Sequence, residues 1–414
     1  MKVLHVIPSV SPVRGGPSQA VLEMVKVLRE TGIDTEIATT NDHGTELLNV
    51  PLRKRTDYQQ VPVWFFSRFS PPISAIREFR FSYDFTIWLW QNIHNYELLH
   101  IHTIFCYTST MAMIIAQWKK VPYIVRPCGM LCEWSLQQKK LKKELYLSLI
   151  EKTNLNHSIS IHFTSISEQQ EAAPLNLASA NFIIPHGLTI PNTIPDANQR
   201  LRQHFNLPLD QPIILFLSRL HPKKGLDYLI PALGKLSDYR FAFIIAGSGD
   251  PEYETEVKTL VKTHGIEQET HFTGFVKGEI KDLLIQGSDI FALTSYSENF
   301  GVSVLEALGA GLPVLVTPGV ALSDIIQQNQ IGYVTELDVD AISTTIQRFL
   351  DNHKLAEKMG ASYGSLRYRA RQFILDNYTW DKIALKMVSV YEDIISRTSC
   401  YSKLSSNPEQ EPHP

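Results

Sequence analysis

The segment Glu298-Asn299-Phe300-Gly301-Val302-Ser303-Val304-Leu305-Glu306 combines two carboxylates with a glycine able to open a helix. If a helix starts at Gly301, the amides of Gly301, Val302 and Ser303 face an anion, and Glu306 on the second turn reaches the same ligand. One carboxylate beside an anion and one further along suit a sugar nucleotide, because paired ribose hydroxyls donate well to a carboxylate. Taken singly, Glu298 also reads as an ordinary helix-start carboxylate and Glu306 as a surface residue. A second segment, Ser218-Arg219-Leu220-His221-Pro222-Lys223-Lys224-Gly225, directly follows an apolar strand. Arg219 and Lys224 could clasp a diphosphate there, one as a fork and one as a point charge; the plainer reading is a solvated basic loop. In Val13-Arg14-Gly15-Gly16-Pro17-Ser18 the glycines either admit a phosphate to backbone amides or make a tight turn.

Other sets carry less. Gly247 and Gly249 follow a strand, but Glu252 stands where a dinucleotide fingerprint needs a third glycine. Asp338-Val339-Asp340 has the D-x-D spacing that can hold a divalent ion, yet Asp340 serves as well to cap a helix from Ala341, and the cap is preferred. His100 and His102 end a strand at the ligand-facing edge, with His102 placed for sugar contact. Cys128 and Cys132 have no second pair at zinc-like spacing.

The elements that must position these groups alternate. Strands over 3–7, 35–40, 98–102 and 123–126 are separated by helices such as 18–30 and 109–119, and the pattern restarts at 213–218. Such alternation predicts βαβ units and parallel sheets. Pro191, Pro195, Pro208 and Pro212 interrupt it, so a first domain over 1–192, a linker over 193–212 and a second domain over 213–378 are expected. A helix over 379–395, with Ile383, Met387, Val390 and Ile394 at helical spacing, is expected to pack back on the first domain. Residues 396–414, polar and proline-containing, are expected to be disordered. A helix over 136–151 carries Leu141, Leu145 and Leu149 among Lys139, Lys140, Lys142 and Lys143; it either packs on the first domain or rests on an anionic membrane surface.

Composition narrows the classes. With 414 residues, 44% hydrophobic and 20% charged, wholesale disorder and fibrous repeats are excluded. Lys and Arg number 39 against 42 Asp and Glu, so no basic excess points to nucleic acid. No apolar stretch reaches the ~18 residues of a membrane span, the N-terminus lacks a signal-peptide core, and four cysteines make no disulfide scaffold. A cytoplasmic location is the expectation.

Together these residues resemble the retaining glycosyltransferases of family 4, the group 1 transferases of GT-B fold. The likeness rests on Gly15-Gly16, the His100-x-His102 strand end, Arg219 to Gly225, Gly247, Thr273-Gly274-Phe275, the span from Glu298 to Glu306, Ala310-Gly311-Leu312-Pro313-Val314, and Tyr123 to Leu131 followed by Trp134. It implies two Rossmann-like parallel-sheet domains facing a central cleft. It also implies sugar transfer from a UDP- or GDP-sugar to a glycan or lipid-linked acceptor, in polysaccharide, glycolipid or other glycan synthesis, with retention of configuration and without metal or other cofactor. By the same likeness Arg219 and Lys224 would neutralise the diphosphate, Glu306 would hold the ribose, and backbone near Phe275 would meet the base. Gly15 and Gly16 would approach the phosphates from the other domain, while Gly247, Phe300, Gly301 and Val302 complete the donor site. Glu298 and His102 would act at the reacting sugar, and the acceptor would lie against loops 42–60 and 64–69. Two positions depart from the pattern: Cys128 replaces the usual His or Arg, and His186 the more usual Asn before Gly187. A nucleotide-sugar epimerase, or a non-catalytic sugar-nucleotide-binding module, would share the base and phosphate contacts.

Overall fold

The wholly apolar run Ile213–Leu217 and the run Leu98–His102, apolar but for its two histidines, are buried along their whole length and form the centres of two sheets. Parallel strands covered on both faces need no alternating polar side. The computed structural model describes residues 1–359 and 364–405, divided into one unit of Met1–Gly187 with the chain from Trp380, and another of Leu188–Thr379.

The first unit holds an eight-stranded sheet in the spatial order Ala180–Ile183, Ser160–Phe163, Tyr123–Arg126, Leu98–His102, Lys2–Val6, Asp34–Thr40, Val61–Phe66, Arg55–Tyr58. All pairs are parallel except the last, which folds back through Gln59 and Gln60, both at positive φ as a two-residue hairpin turn requires. The second unit's six strands run Thr270–Gly274, Ala242–Ala246, Ile213–Leu217, Ile290–Leu293, Val314–Val316, Tyr333–Val334, all parallel. Counting parallel strands in chain order, the second sheet follows the doubly wound order 3-2-1-4-5-6, and the first follows the same order with a seventh strand, Ala180–Ile183, added at its edge. Winding therefore reverses between Lys2–Val6 and Leu98–His102 in one unit, and between Ile213–Leu217 and Ile290–Leu293 in the other. Ligands of open α/β sheets bind beyond the strand ends at that reversal.

Three expectations need correction. The prolines do not mark a linker over 193–212. They bracket the helix Ala197–Phe205, whose Ala197 and Leu201 join the second unit's core and whose Arg202 pairs with Asp289 at 3.0 Å. The unit boundaries accordingly fall at Gly187/Leu188 and Thr379/Trp380. The last helix runs from Trp380 to Ser405, beyond the expected end at 395; the rest of the expected tail, 406–414, lies outside the described residues. Its Ile383, Ala384, Met387, Tyr391 and Ile394 share one face and pack on Val3, Met24, Leu28 and Leu98 of the first unit. Finally, the lysine-rich segment forms helix Lys140–Tyr146, a π turn Leu147–Glu151 and helix Lys152–Asn156. Its inward residues are Leu147, Glu151 and Leu155, while Leu141, Leu145 and Leu149 are 82%, 61% and 69% exposed, so these three leucines do not pack on the domain.

Candidate active site

In the second unit the two strands flanking the winding reversal deliver their loops to one place. After Leu217, the backbone of Ser218 to Leu220 lies against Ala246 to Gly249, with Ser218 N donating to Ala246 O (3.1 Å) and Leu220 N to Ser248 O (2.9 Å). A Cβ on Gly247 would stand 1.9 Å from the Ser218 carbonyl oxygen, so only glycine permits this approach. Gly225 is bound likewise: a Cβ there would meet the Thr294 oxygen at 1.8 Å, and Thr294 Oγ1 donates back to Gly225 O at 2.7 Å. The loop carrying Arg219 and Lys224 is thereby fastened to the strand that leads to Glu298.

Lys224 Nζ donates to Glu298 Oε2, joining two residues that the sequence placed in separate motifs. Arg219, on the same loop as Lys224, is exposed. Partial burial, and then the nearby Arg219, Lys224 and Lys223 cations, lower the pKa of His221, a sign of the positive field on this loop. Glu298 is tied by its backbone to the next strand's exit, its N–H donating to Gly319 O at 2.6 Å. Gly301 caps helix Val302–Gly309, whose first amides lack acceptors within the helix. Glu306 on this helix accepts from Lys281 Nζ at 2.7 Å. Phe275 is 60% exposed just past the strand Thr270–Gly274. Phe300 differs from expectation: its ring is 3% exposed and packs in the core 6.2 Å from Tyr378, because an aromatic at the helix start fills space under it.

The D-x-D pair is used otherwise. Asp338 Oδ1 accepts from the amides of Asp340 and Ala341, both at 2.9 Å, so Asp338 and not Asp340 caps helix Val339–Met359, while Asp340 pairs with Lys235.

In the first unit, Gly15 (φ 82) precedes helix Gly16–Glu30, and Arg14 anchors that loop by two bonds to Asp42 at 2.6 and 2.8 Å. Arg68 also binds Asp42, and Arg80 lies 3.5 Å away. Burial alone would raise the Asp42 pKa, but Arg14, Arg80 and Arg68 outweigh it and hold the carboxyl below its usual range. His102 is not on the surface: it is fully buried with His5 and His100, and one ring nitrogen of each lies within 4.8 Å of the others'. Three imidazoles at that spacing could ligate a metal, but five of the six nitrogens face another ring or Tyr391; His102 Nδ1 has no partner among the described residues. The group is therefore a hydrogen-bonded chain. Both departures from the family pattern adjoin Arg126, which donates to His186 Nε2 at 2.7 Å and whose carbonyl accepts from the Cys128 thiol at 3.5 Å. Burial raises the Cys128 pKa and keeps it a thiol. Lys281 and Tyr391 belong to no motif singled out in the sequence; Arg126 lies inside the segment Tyr123 to Leu131 and Asp42 opens loop 42–60, but their partners are not legible there.

Comparison with known proteins gives the family and the fold. The family described as glycosyl transferases group 1 matches residues 197–363, and the glycosyl transferase 4-like domain matches 15–187. The chain belongs to the group 1, family 4-like glycosyltransferases, with the two-domain GT-B fold. An uncharacterized glycosyltransferase of Methanocaldococcus jannaschii is 32% identical over 193 residues, 46% of this chain and 47% of the relative. A GDP-mannose-dependent alpha-(1-6)-phosphatidylinositol monomannoside mannosyltransferase of Mycolicibacterium smegmatis is 31% identical over 45% of this chain and 49% of its own. The chain thus spans about half the length of these curated relatives. Among solved structures, Anabaena HepE in complex with UDP and glucose superposes with a TM-score of 0.74 at 18% identity, covering 95% of this chain and all of that one.

Proposed function

We propose that this protein transfers a sugar from a nucleotide-diphosphate sugar to an acceptor hydroxyl, with retention of anomeric configuration and without a divalent metal. The observation that carries this reading is the pairing of Lys224 with Glu298 at the second unit's winding reversal, with exposed Arg219 on the loop of Lys224 and helix Val302–Gly309 starting shortly after Glu298. As the anomeric bond breaks, charge gathers on the leaving diphosphate, where fixed cations and amides stabilise it more than water does. Lys224 and Arg219 serve the phosphates, Glu298 the donor sugar, and Glu306, oriented by Lys281, the ribose. Named relatives use GDP-mannose and named structures hold UDP, so either nucleotide fits.

The acceptor belongs on the first unit, a glycan or lipid-linked hydroxyl near the surplus of arginines around Asp42. No described helix is long and apolar enough to cross a membrane. The exposed Leu141, Leu145 and Leu149 beside Lys139, Lys140 and Lys142 support peripheral contact with an anionic membrane, on its cytoplasmic face. The deciding experiment screens UDP-, GDP- and ADP-sugars for thermal stabilisation, then follows the stabilising donor with and without acceptor, and with EDTA. A product of retained configuration supports the proposal. An epimerised donor formed without acceptor, or no stabilisation by any nucleotide sugar, overturns it.

A further inference from the structure

We propose that Tyr391, with His5, His100 and His162, is a positioning relay that holds the proton of His102 on Nε2 and leaves Nδ1 as a bare acceptor for a sugar hydroxyl. The sugar as ligand rests on the function proposed above; the relay itself rests on hydrogen-bond geometry. His162 Nε2 lies 2.7 Å from Ile184 O, and a carbonyl can only accept, so that nitrogen carries the proton. A neutral His162 then has a bare Nδ1, which must accept from His100 Nε2 at 3.2 Å. His100 Nδ1 is in turn bare and accepts the single hydroxyl proton of Tyr391 at 2.7 Å. With that proton committed, the Tyr391 oxygen can only accept from His5 Nε2, 3.5 Å away. His5 Nδ1 is left to accept from His102 Nε2 at 3.0 Å, and the chain ends at His102 Nδ1, buried and without a partner among the described residues.

Every ring must be neutral for this order, and full burial favours that in all four histidines. The chain ends at the first unit's winding reversal, where a ligand is expected. Arg126 is the register partner of His102 on the adjacent strand, and its Nε and Nη1 are also buried without partners among the described residues. Just past both strands, Thr103, Phe105 and Cys128 hold positive φ of 66°, 57° and 55°, strain of the sort that gathers at functional sites. A bare acceptor next to unpaired donors suits a group that gives a proton and takes a hydrogen bond. A sugar hydroxyl does both; an ionised phosphate or carboxylate has no proton for Nδ1. The phenol on the C-terminal helix thereby decides which way a strand-end histidine faces chemically.

Long-range proton–nitrogen correlation NMR on protein labelled with ¹⁵N-histidine tests this, with the His102 signal assigned by its loss in His102→Asn. The expected wild-type spectrum shows His102 neutral and protonated on Nε2. In Tyr391→Phe the Nδ1–H form should appear, with kcat lowered at least about tenfold and the donor KM changed much less. A wild-type His102 protonated on Nδ1, or a Tyr391→Phe spectrum with the tautomer unchanged, overturns the relay. The wild-type spectrum decides even if the variant fails to fold. If no nucleotide sugar is turned over, the proposed function fails while the tautomer measurement still stands.

Discussion

Lys224 and Glu298, 74 residues apart in the chain, form an ion pair in which the side chains are only 14% and 19% exposed. Each belongs to the loop leaving one of the two strands that flank the second unit's winding reversal. Removing one partner leaves the other charge sheltered and unbalanced. Glu298→Gln is therefore expected to leave Lys224 fully available to a diphosphate. Turnover should fall by about a hundredfold or more while nucleoside-diphosphate affinity is kept or improved. Lys224→Ala should instead weaken nucleoside-diphosphate binding by about tenfold or more. Titration calorimetry with UDP and GDP beside steady-state kinetics separates the two, and equal loss of binding in both variants would refute the division of roles.

Glu306 is held by Lys281 at 2.7 Å, across from helix Glu279–Gly287. If this carboxylate receives ribose hydroxyls, Glu306→Ala should weaken the ribonucleotide and leave its 2′-deoxy analogue nearly unaffected. Lys281→Met should have the same selectivity at smaller size, a few-fold in Kd, because it only loosens the carboxylate. Equal weakening of both nucleotides would remove Glu306 from the ribose.

Asp338 caps a helix and Asp340 sits in an exposed pair with Lys235. Activity is expected to survive EDTA and to be nearly abolished by Arg219→Ala. Asp338→Ala should cost about 1 kcal/mol of stability as a lost cap, with activity retained per folded molecule. Activity lost on chelation and restored by Mn²⁺ would reverse the assignment.

The buried histidines give the first unit an acid-sensitive stability. Burial, with neighbouring rings and Arg126 adding to it, lowers the pKa of His5 to about 3 and those of His100, His102, His162 and His186 well below the ordinary value. Above pH ~6.5 both folded and unfolded chains leave these groups neutral, and they add no pH dependence. Below it the unfolded chain takes up protons that the folded one refuses, so stability falls with falling pH, by up to about 1.4 kcal/mol per pH unit for each group. Urea denaturation between pH 7.5 and 4.5 should show this decline. A flat profile across that window would contradict burial of neutral rings.

Leu141, Leu145 and Leu149 are exposed, so replacing all three by Ser should leave the melting temperature within a degree or two. Flotation with anionic liposomes at low salt is expected to carry the wild type and not the triple variant. Wild-type protein that stays with the soluble fraction would dispose of the membrane contact.

The sequence by itself determined the two parallel-sheet halves, because strands buried on both faces must be apolar and the helices between them amphipathic. It also made the motifs at Arg219 to Gly225 and Glu298 to Glu306 legible as residue types and spacings, although the backbone partners that fasten them, Thr294, Ser248 and Gly319, are distant in the chain. Spacing misled where local signals are ambiguous: prolines that bracket helix Ala197–Phe205 look like a linker, and leucines every four residues look like a packed face although Leu147 and Leu155 are the ones buried. What only the tertiary structure decided are the partnerships. Glu298 meets Lys224, Glu306 meets Lys281, and His100 meets Tyr391, 291 residues away. Hydrogen bonds and ion pairs act over about 3 Å, and no pattern in one dimension tells which distant side chains the winding of a sheet brings within that reach.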